Sequence, residues 1–199
     1  MDEKKQNILV IGGGGRETAI VWKLAQSRRV GKIWCAPGNA GIADLAERVP
    51  IPATDLEAIC RFAQTTKPDF VFVAPDDPLA GGLCDMLRDL GIRAFGPSRA
   101  AAQLEASKDF AKSLMSRMSI PTADFEVFAD PEAALAYLAK AKYPLVIKAD
   151  GLALGKGVLI CQDFVQAAAA VQNLMVDDVF HGAGRKILVE TFLEGEELT

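Results

Sequence analysis

At 199 residues, 50% hydrophobic and 24% charged, the chain is long enough for one large domain or two small ones and apolar enough to bury a core. A formal net charge of −4 with scattered Lys and Arg argues against a nucleic-acid surface, which takes a clustered basic footprint. No apolar run reaches the roughly 18 residues of a membrane span, and the polar start MDEKKQN is not a signal peptide, so a cytoplasmic protein with no membrane partner is expected.

The elements can be taken in chain order. Residues 7–11 form a short apolar run ending in four glycines, which suits a buried parallel strand. Apolar residues at 20, 21, 24 and 25 give residues 18–27 a helical spacing. A second strand over 32–36 is stopped by Pro37-Gly38-Asn39, a turn signal. Thr54 is expected to cap a helix through Thr65, with Glu57 completing a capping box. A third strand follows at 69–73, a helix from about 79 to 90, and a fourth strand at 92–95 ending at Gly96-Pro97. Strands separated by helices imply right-handed parallel crossovers and an open α/β sheet.

After Pro97 the rhythm changes. Adjoining helices are predicted at 98–105 and 107–118, and an alternating, half-exposed strand at 125–128. Asp130-Pro131 starts a helix through Lys140, with Pro in its first turn. Strands at 145–148 and 157–160 flank a Gly-rich segment, a helix follows at 163–175, and a last strand at 186–190. Two domains are therefore expected, with a boundary near residues 97–107.

Four cysteines stand far apart at 35, 60, 84 and 161, no C-x-x-C pair exists, and the single His181 offers little for a zinc site. Buried free thiols in a reducing compartment are the expectation.

Gly12 to Gly15 followed by Arg16-Glu17 lies between a strand and a helix, where backbone N–H groups and the helix dipole can hold an anion. The dinucleotide fingerprint fails, because Glu17 stands where a third glycine is needed and no acidic residue ends the second strand. The loops Pro37-Gly-Asn39-Ala-Gly41 and Pro75-Asp76-Asp77-Pro78 fall at the same strand ends. Asn39 and Asp76 can bond sugar hydroxyls there, and together the three loops favour a small polar ligand such as a phosphosugar.

The strongest local signal is Lys148-Ala-Asp-Gly151-Leu-Ala-Leu-Gly155-Lys156-Gly157-Val158. It fails as a P-loop, since the glycine spacing is one residue short and Gly157 replaces the Ser or Thr that holds magnesium. A glycine flap between two antiparallel strands, closing over a triphosphate with its N–H groups, fits better. Lys148 adds a positive charge on the strand leading in. The run Val189-Glu190-Thr-Phe192-Leu193-Glu-Gly-Glu-Glu197 ends a strand in a connector whose backbone can pair an adenine edge.

The order of these motifs, with Ser107-Lys108 and Gly96-Pro97, resembles the phosphoribosylamine–glycine ligase (glycinamide ribonucleotide synthetase) family of ATP-grasp enzymes along essentially the whole chain. The resemblance implies a Rossmann-like, pre-ATP-grasp substrate domain over 1–103, then the first, incomplete part of an ATP-grasp domain over 104–199. It implies nucleotide-phosphate contacts from Lys108 and Lys148, a phosphate flap of Gly151, Gly155, Lys156 and Gly157, an adenine hinge at Glu190 with Phe192 and Leu193, and a ribose carboxylate at Glu197. Gly13, Gly14, Gly15, Arg16, Asn39, Pro75 and Asp76 would face phosphoribosylamine. The implied reaction joins glycine to 5-phosphoribosylamine with ATP and Mg²⁺ or Mn²⁺, in a monomer.

Glu-Glu-Leu-Thr199 reads as the start of a further strand, so a fragment inactive as a ligase by itself is expected. No catalytic residue is assigned within it, and the metal ligands are expected beyond residue 199. Two departures from the family pattern, Thr18 in place of His and Asp76-Asp77 in the third loop, leave open a ligase for another amine. A non-catalytic nucleotide- or sugar-phosphate-binding module is the third reading.

Overall fold

A computed structural model describes residues 5–153, 156–180 and 182–196. The chain divides into two compact units, 1–102 and 103–199.

In the first unit the elements are β1 Gln6–Gly12, α1 Gly15–Ala25, β2 Val30–Pro37, a short 3-10 turn Ala40–Ile42, β3 Glu47–Arg48, α2 Leu56–Thr66, β4 Phe70–Val73, α3 Asp76–Gly81, α4 Leu83–Asp89 and β5 Ala94–Phe95. The strands form one parallel sheet in the order β3-β2-β1-β4-β5, the arrangement of a doubly wound α/β domain. Alternation along β1 explains why both faces are covered. Leu9 and Ile11 join Ile59, Ala63, Leu83 and Leu87 of α2 and α4 in one cluster. Ile8 and Val10 join Val21 of α1 and Ile42 in another. A strand buried on both faces must read as a continuous apolar run, which is how residues 7–11 read.

Four expectations need correction here. The sheet has a fifth strand, β3, whose Glu47 and Arg48 are exposed and charged. It is paired with Trp34 and Cys35 of β2. Asp55, not Thr54, caps α2, its side chain accepting from the Ala58 N–H. The helix expected at 79–90 is two helices, parted at Gly82 with φ +93°, a conformation that favours glycine. Helix α1 begins at Gly15 rather than residue 18.

Helix α5, Arg99–Ala106, contains the division between the units. The second unit continues with α6 Lys108–Arg117, β6 Phe125–Phe128, α7 Pro131–Leu138, β7 Leu145–Ala149, β8 Val158–Cys161, α8 Phe164–Val171 with a π-helical turn Gln172–Val176, and β9 Ile187–Thr191. Its sheet is antiparallel, ordered β6-β9-β7-β8. One face packs Leu145, Ile147, Ala149, Ile187 and Val189 against Ala134 and Leu138 of α7 and Ala167, Ala170 and Val171 of α8. Period-2 alternation therefore turns Lys148 and Glu190 to the opposite face.

All four cysteines are free and buried. Burial pushes the Cys35 thiol up to about 11, and burial also raises Cys60, Cys84 and Cys161. They are packing residues, far from the low values of a reactive thiolate. No helix among the described residues is long and apolar enough to cross a membrane.

Candidate functional site

In the second unit, strands β7 and β8 enclose the glycine segment as an antiparallel pair. Lys148 pairs with Val158, and the Ala149 N–H donates to the Gly157 carbonyl at 2.8 Å. Space is short for any side chain at both ends of the stem. A Cβ on Gly157 would come within 2.8 Å of the Ala153 Cβ, and one on Gly151 within 3.0 Å of Ala183. The first distance is shorter than real Cβ atoms tolerate and the second would need Ala183 to give slightly, so packing as well as flap chemistry bears on Gly157, and more mildly on Gly151.

A polar cluster latches this stem to the start of α6. Ser107 caps α6 by accepting from the Phe110 N–H. Its hydroxyl donates to the Asp150 carboxylate at 3.0 Å, and the Asp109 N–H donates to the same carboxylate at 2.8 Å. Lys108 Nζ donates to the Gly151 carbonyl at 3.2 Å and the Asp150 carbonyl at 3.4 Å. Burial holds the Lys108 ammonium below its ordinary value, against the opposing pull of Asp150. Lys186 donates to Asp109 at 2.6 Å. That bond raises the Lys186 ammonium and lowers the Asp109 carboxyl.

One strand-pair further in, on the face away from α7 and α8, the register sets Lys148 beside Leu188 and Val146 beside Glu190. Lys148 and Glu190 are thus diagonal neighbours, within reach of long side chains. Lys148 Nζ donates to Glu190 Oε2 at 2.8 Å. The same oxygen lies 3.2 Å from Lys112 Nζ, which also donates to Thr122 Oγ1 at 2.7 Å and the Ala123 carbonyl at 2.9 Å. Lys112 is 7% exposed and Glu190 6%, whereas the Lys148 side chain retains 28% exposure. The cluster therefore gathers four lysines (108, 112, 148, 186) with Asp109, Asp150 and Glu190, Glu105 also acting on Lys108, and leaves Lys148 and Lys186 partly exposed. A partly desolvated cationic surface is chemistry for a polyphosphate.

Sequence reading found Lys108, Lys148 and Glu190, and the structure places all three in this cluster. Lys112, Asp150, Asp109 and Lys186 were missed as site residues. Asp150 lies inside the glycine motif and could have been found there. The side chain of Leu193 is exposed, and Phe192 and Leu193 follow the end of β9. Lys156 is exposed, its N–H closing a turn onto the Ala153 carbonyl at 2.9 Å. Gly155 and Glu197 lie outside the described residues. A cleft of about 710 Å³ touches Glu190 and Thr191 together with Asp124, Phe125, Tyr137 and Lys140. It includes neither Lys108 nor Lys148, so we do not assign the phosphates to it. Among the described residues no three His, Cys, Asp or Glu side chains are grouped to hold a metal ion.

In the first unit, the three loops at the carboxyl ends of β1, β2 and β4 do meet. The Gly38 N–H donates to the Gly12 carbonyl at 3.1 Å, and Arg16 Nη1 to the Ala74 carbonyl at 3.3 Å. Gly12 sits at φ +121°, where a Cβ would strike Glu17 and Pro75. The loop is largely closed on itself. Glu17, buried, accepts from the Gly14 N–H at 2.6 Å, so a carboxylate of the protein already covers one donor of the anion nest. The Asn39 amide donates to the Gly13 carbonyl and to Thr18 Oγ1, both at 2.9 Å, and its oxygen accepts from the Gly41 N–H. Gly14, Gly15, Arg16 and Asp76 face solvent, with Pro75 and Gly13 half-buried.

Comparison with known proteins agrees with this two-part organisation. Residues 6–105 match the model described as phosphoribosylglycinamide synthetase, N domain, and residues 106–199 the model for its ATP-grasp (A) domain. The chain is 47% identical over 193 residues to phosphoribosylamine–glycine ligase of Pasteurella multocida, covering 96% of this chain and 45% of that protein. It is 47% identical over 192 residues to the Escherichia coli K12 protein of the same name, again covering 96% and 45%. The chain thus spans about half the length of the curated relatives it matches. The crystal structure of phosphoribosylamine–glycine ligase from Thermotoga maritima superposes with a TM-score of 0.76 at 30% identity, covering 96% of this chain and 44% of that one. The biotin carboxylase domain of Hydrogenobacter thermophilus 2-oxoglutarate carboxylase, solved with MgADP, has the same TM-score at 18% identity, covering 95% and 44%. That likeness shows the shared α/β, ATP-grasp fold.

Proposed function

The chain belongs to the phosphoribosylglycinamide synthetase family, and from that premise we propose that the protein joins glycine to 5-phosphoribosylamine, converting ATP to ADP and phosphate and giving glycinamide ribonucleotide. The observation that carries the proposal is the lysine cluster around Lys148 and Glu190 at the foot of the glycine flap. Lys148 offers its partly exposed ammonium to the nucleotide phosphates. Lys108 reaches them by exchanging the Asp150 and Gly151 carbonyls for phosphate oxygens, a stronger, charge-assisted pair. Gly151, Gly155, Lys156 and Gly157 form the flap. Glu190 with the backbone of Phe192 and Leu193 takes the adenine, and Glu197 the ribose. Gly13, Gly14, Gly15, Arg16, Asn39, Pro75 and Asp76 line the phosphoribosylamine site, which Glu17 and Asn39 hold in shape.

In this mechanism the glycine carboxylate attacks the γ-phosphate, and the sugar amine captures the resulting acyl phosphate, releasing inorganic phosphate. Residues of this chain contribute positioning and charge neutralisation. Mg²⁺ or Mn²⁺, when bound with ATP, balances further phosphate charge. The protein works in the cytoplasm as a monomer on small-molecule substrates.

A second reading keeps ATP-grasp chemistry but changes the amine. It is favoured by Thr18, whose hydroxyl donates to the Gly14 carbonyl at 3.0 Å within the substrate loop. The test is ADP release by the protein with phosphoribosylamine and with other amines. In a protein spanning the relatives' full length, glycine- and phosphoribosylamine-dependent ADP release is expected, with Lys148→Met weakening ATP about tenfold or more, whereas residues 1–199 by themselves should release none. Preference for another amine supports the second reading, and ADP release independent of any amine overturns both.

A further inference from the structure

The proposed function uses Lys108, Lys148 and Lys156 and leaves Lys112 unexplained. Lys112 sits one turn along α6 from Lys108 and is buried. Its ammonium has three donors, and three acceptors surround it: Thr122 Oγ1, the Ala123 carbonyl and Glu190 Oε2. Its Nζ also lies 5.3 Å from the centroid of the Phe125 ring. So enclosed, Lys112 has its ammonium engaged entirely by groups of the protein. Burying an ammonium and a carboxylate costs more than packing apolar residues of the same volume, so stability alone gives no reason for the pair.

We propose that Lys112 is a positioning residue of the nucleotide site, neutralising Glu190 so that Lys148 presents an unbalanced positive charge to the phosphates. Without Lys112, Lys148 and Glu190 form a neutral ion pair 2.8 Å apart, and Lys148 has a carboxylate to itself. With it, one carboxylate serves two ammonium groups, and the surplus charge resides on the group that reaches solvent. The inference rests on the reading of Lys148 as a phosphate contact.

The test measures charge without adenine, using inorganic tripolyphosphate in calorimetric titrations of the protein, beside ATP. If the wild type binds neither, the nucleotide reading itself falls. If the wild type binds, Lys112→Met should weaken tripolyphosphate at least about tenfold, the effect on a single phosphate charge of one charge about 10 Å away at an effective dielectric near 20. Glu190→Gln should tighten it. The double variant, again one net positive charge, should return near the wild type, which loss of packing alone would not produce. Should Lys112→Met not fold, the double variant must still bind about tenfold more weakly than Glu190→Gln. Equal affinities across the folded variants, or no recovery in the double variant, overturn the proposal and leave the nucleotide reading standing.

Discussion

The two glycine-rich turns of this molecule begin alike, at the end of a strand, and are finished differently. In the first unit, Glu17 bonds the Gly14 N–H and Asn39 bonds the Gly13 carbonyl. The polar groups of that loop are answered from within, and the charges of Arg16 and Glu17 offset one another across 3.7 Å. In the second unit, Lys112 and Lys148 share the single carboxylate of Glu190, and the surplus charge resides on Lys148, the more exposed of the two. A loop whose charge is balanced internally is held in shape before its ligand arrives. A loop with charge left over calls for an anion. The number of glycines does not separate the two cases; the residues around them do.

Three changes probe that contrast. The largest effect is expected from Glu190→Ala, which leaves the buried Lys112 without its carboxylate. Breaking a buried pair this way costs about 3–5 kcal/mol, measurable as a lower urea midpoint. A loss under 1 kcal/mol would mean that Glu190 is dispensable to the cluster. Glu17→Ala should cost less, about 1–2 kcal/mol, because it removes a helix-end hydrogen bond and leaves no opposite charge buried. If Glu17→Ala proves as costly as Glu190→Ala, the glycine loop is not the milder case. The smallest effect concerns the Lys186–Asp109 latch, which is partly exposed and worth little in water. Asp109 is held below 3.8, so its contribution is present in full above that pH and fades as pH falls through the lowered value. Lys186 is held above 10.5, so its contribution is complete below that pH and is lost above it. The stability difference between wild type and Lys186→Met should therefore be flat from about pH 5 to 9 and shrink at both extremes. A difference that changes steadily through neutrality would contradict this assignment.

Much of the architecture was legible because burial writes itself into sequence. Strands β1, β2 and β4 are apolar on both faces and could be read directly. Strand β3 could not be, since Glu47 and Arg48 bury nothing and are held by backbone pairing to β2. Thr54 and Asp55 are both able caps, adjacent in sequence, and it is the Asp55 carboxylate that accepts from the Ala58 N–H. At the site, Lys148 and Glu190 stood in recognisable motifs. Lys112 did not, because on α6 it reads as one more solvated lysine of an amphipathic helix. What turns it inward is Thr122 and Ala123 from a loop and Glu190 from a strand far along the chain. Such a convergence has no local signature.

The placement of β9 has a kinetic meaning as well. It comes last among the four strands of its sheet, yet it lies between β6 and β7. A growing chain can pair β7 with β8 locally, but β6 has no partner until residues 187–191 insert. Closing such long loops is the slow, entropically costly part of folding. Glu190 arrives on that strand, so the lysines of α6 and β7 gather around their shared carboxylate only once the sheet is complete. A bound polyphosphate would then act as a reporter of finished folding, favouring the assembled sheet by mass action over every earlier intermediate.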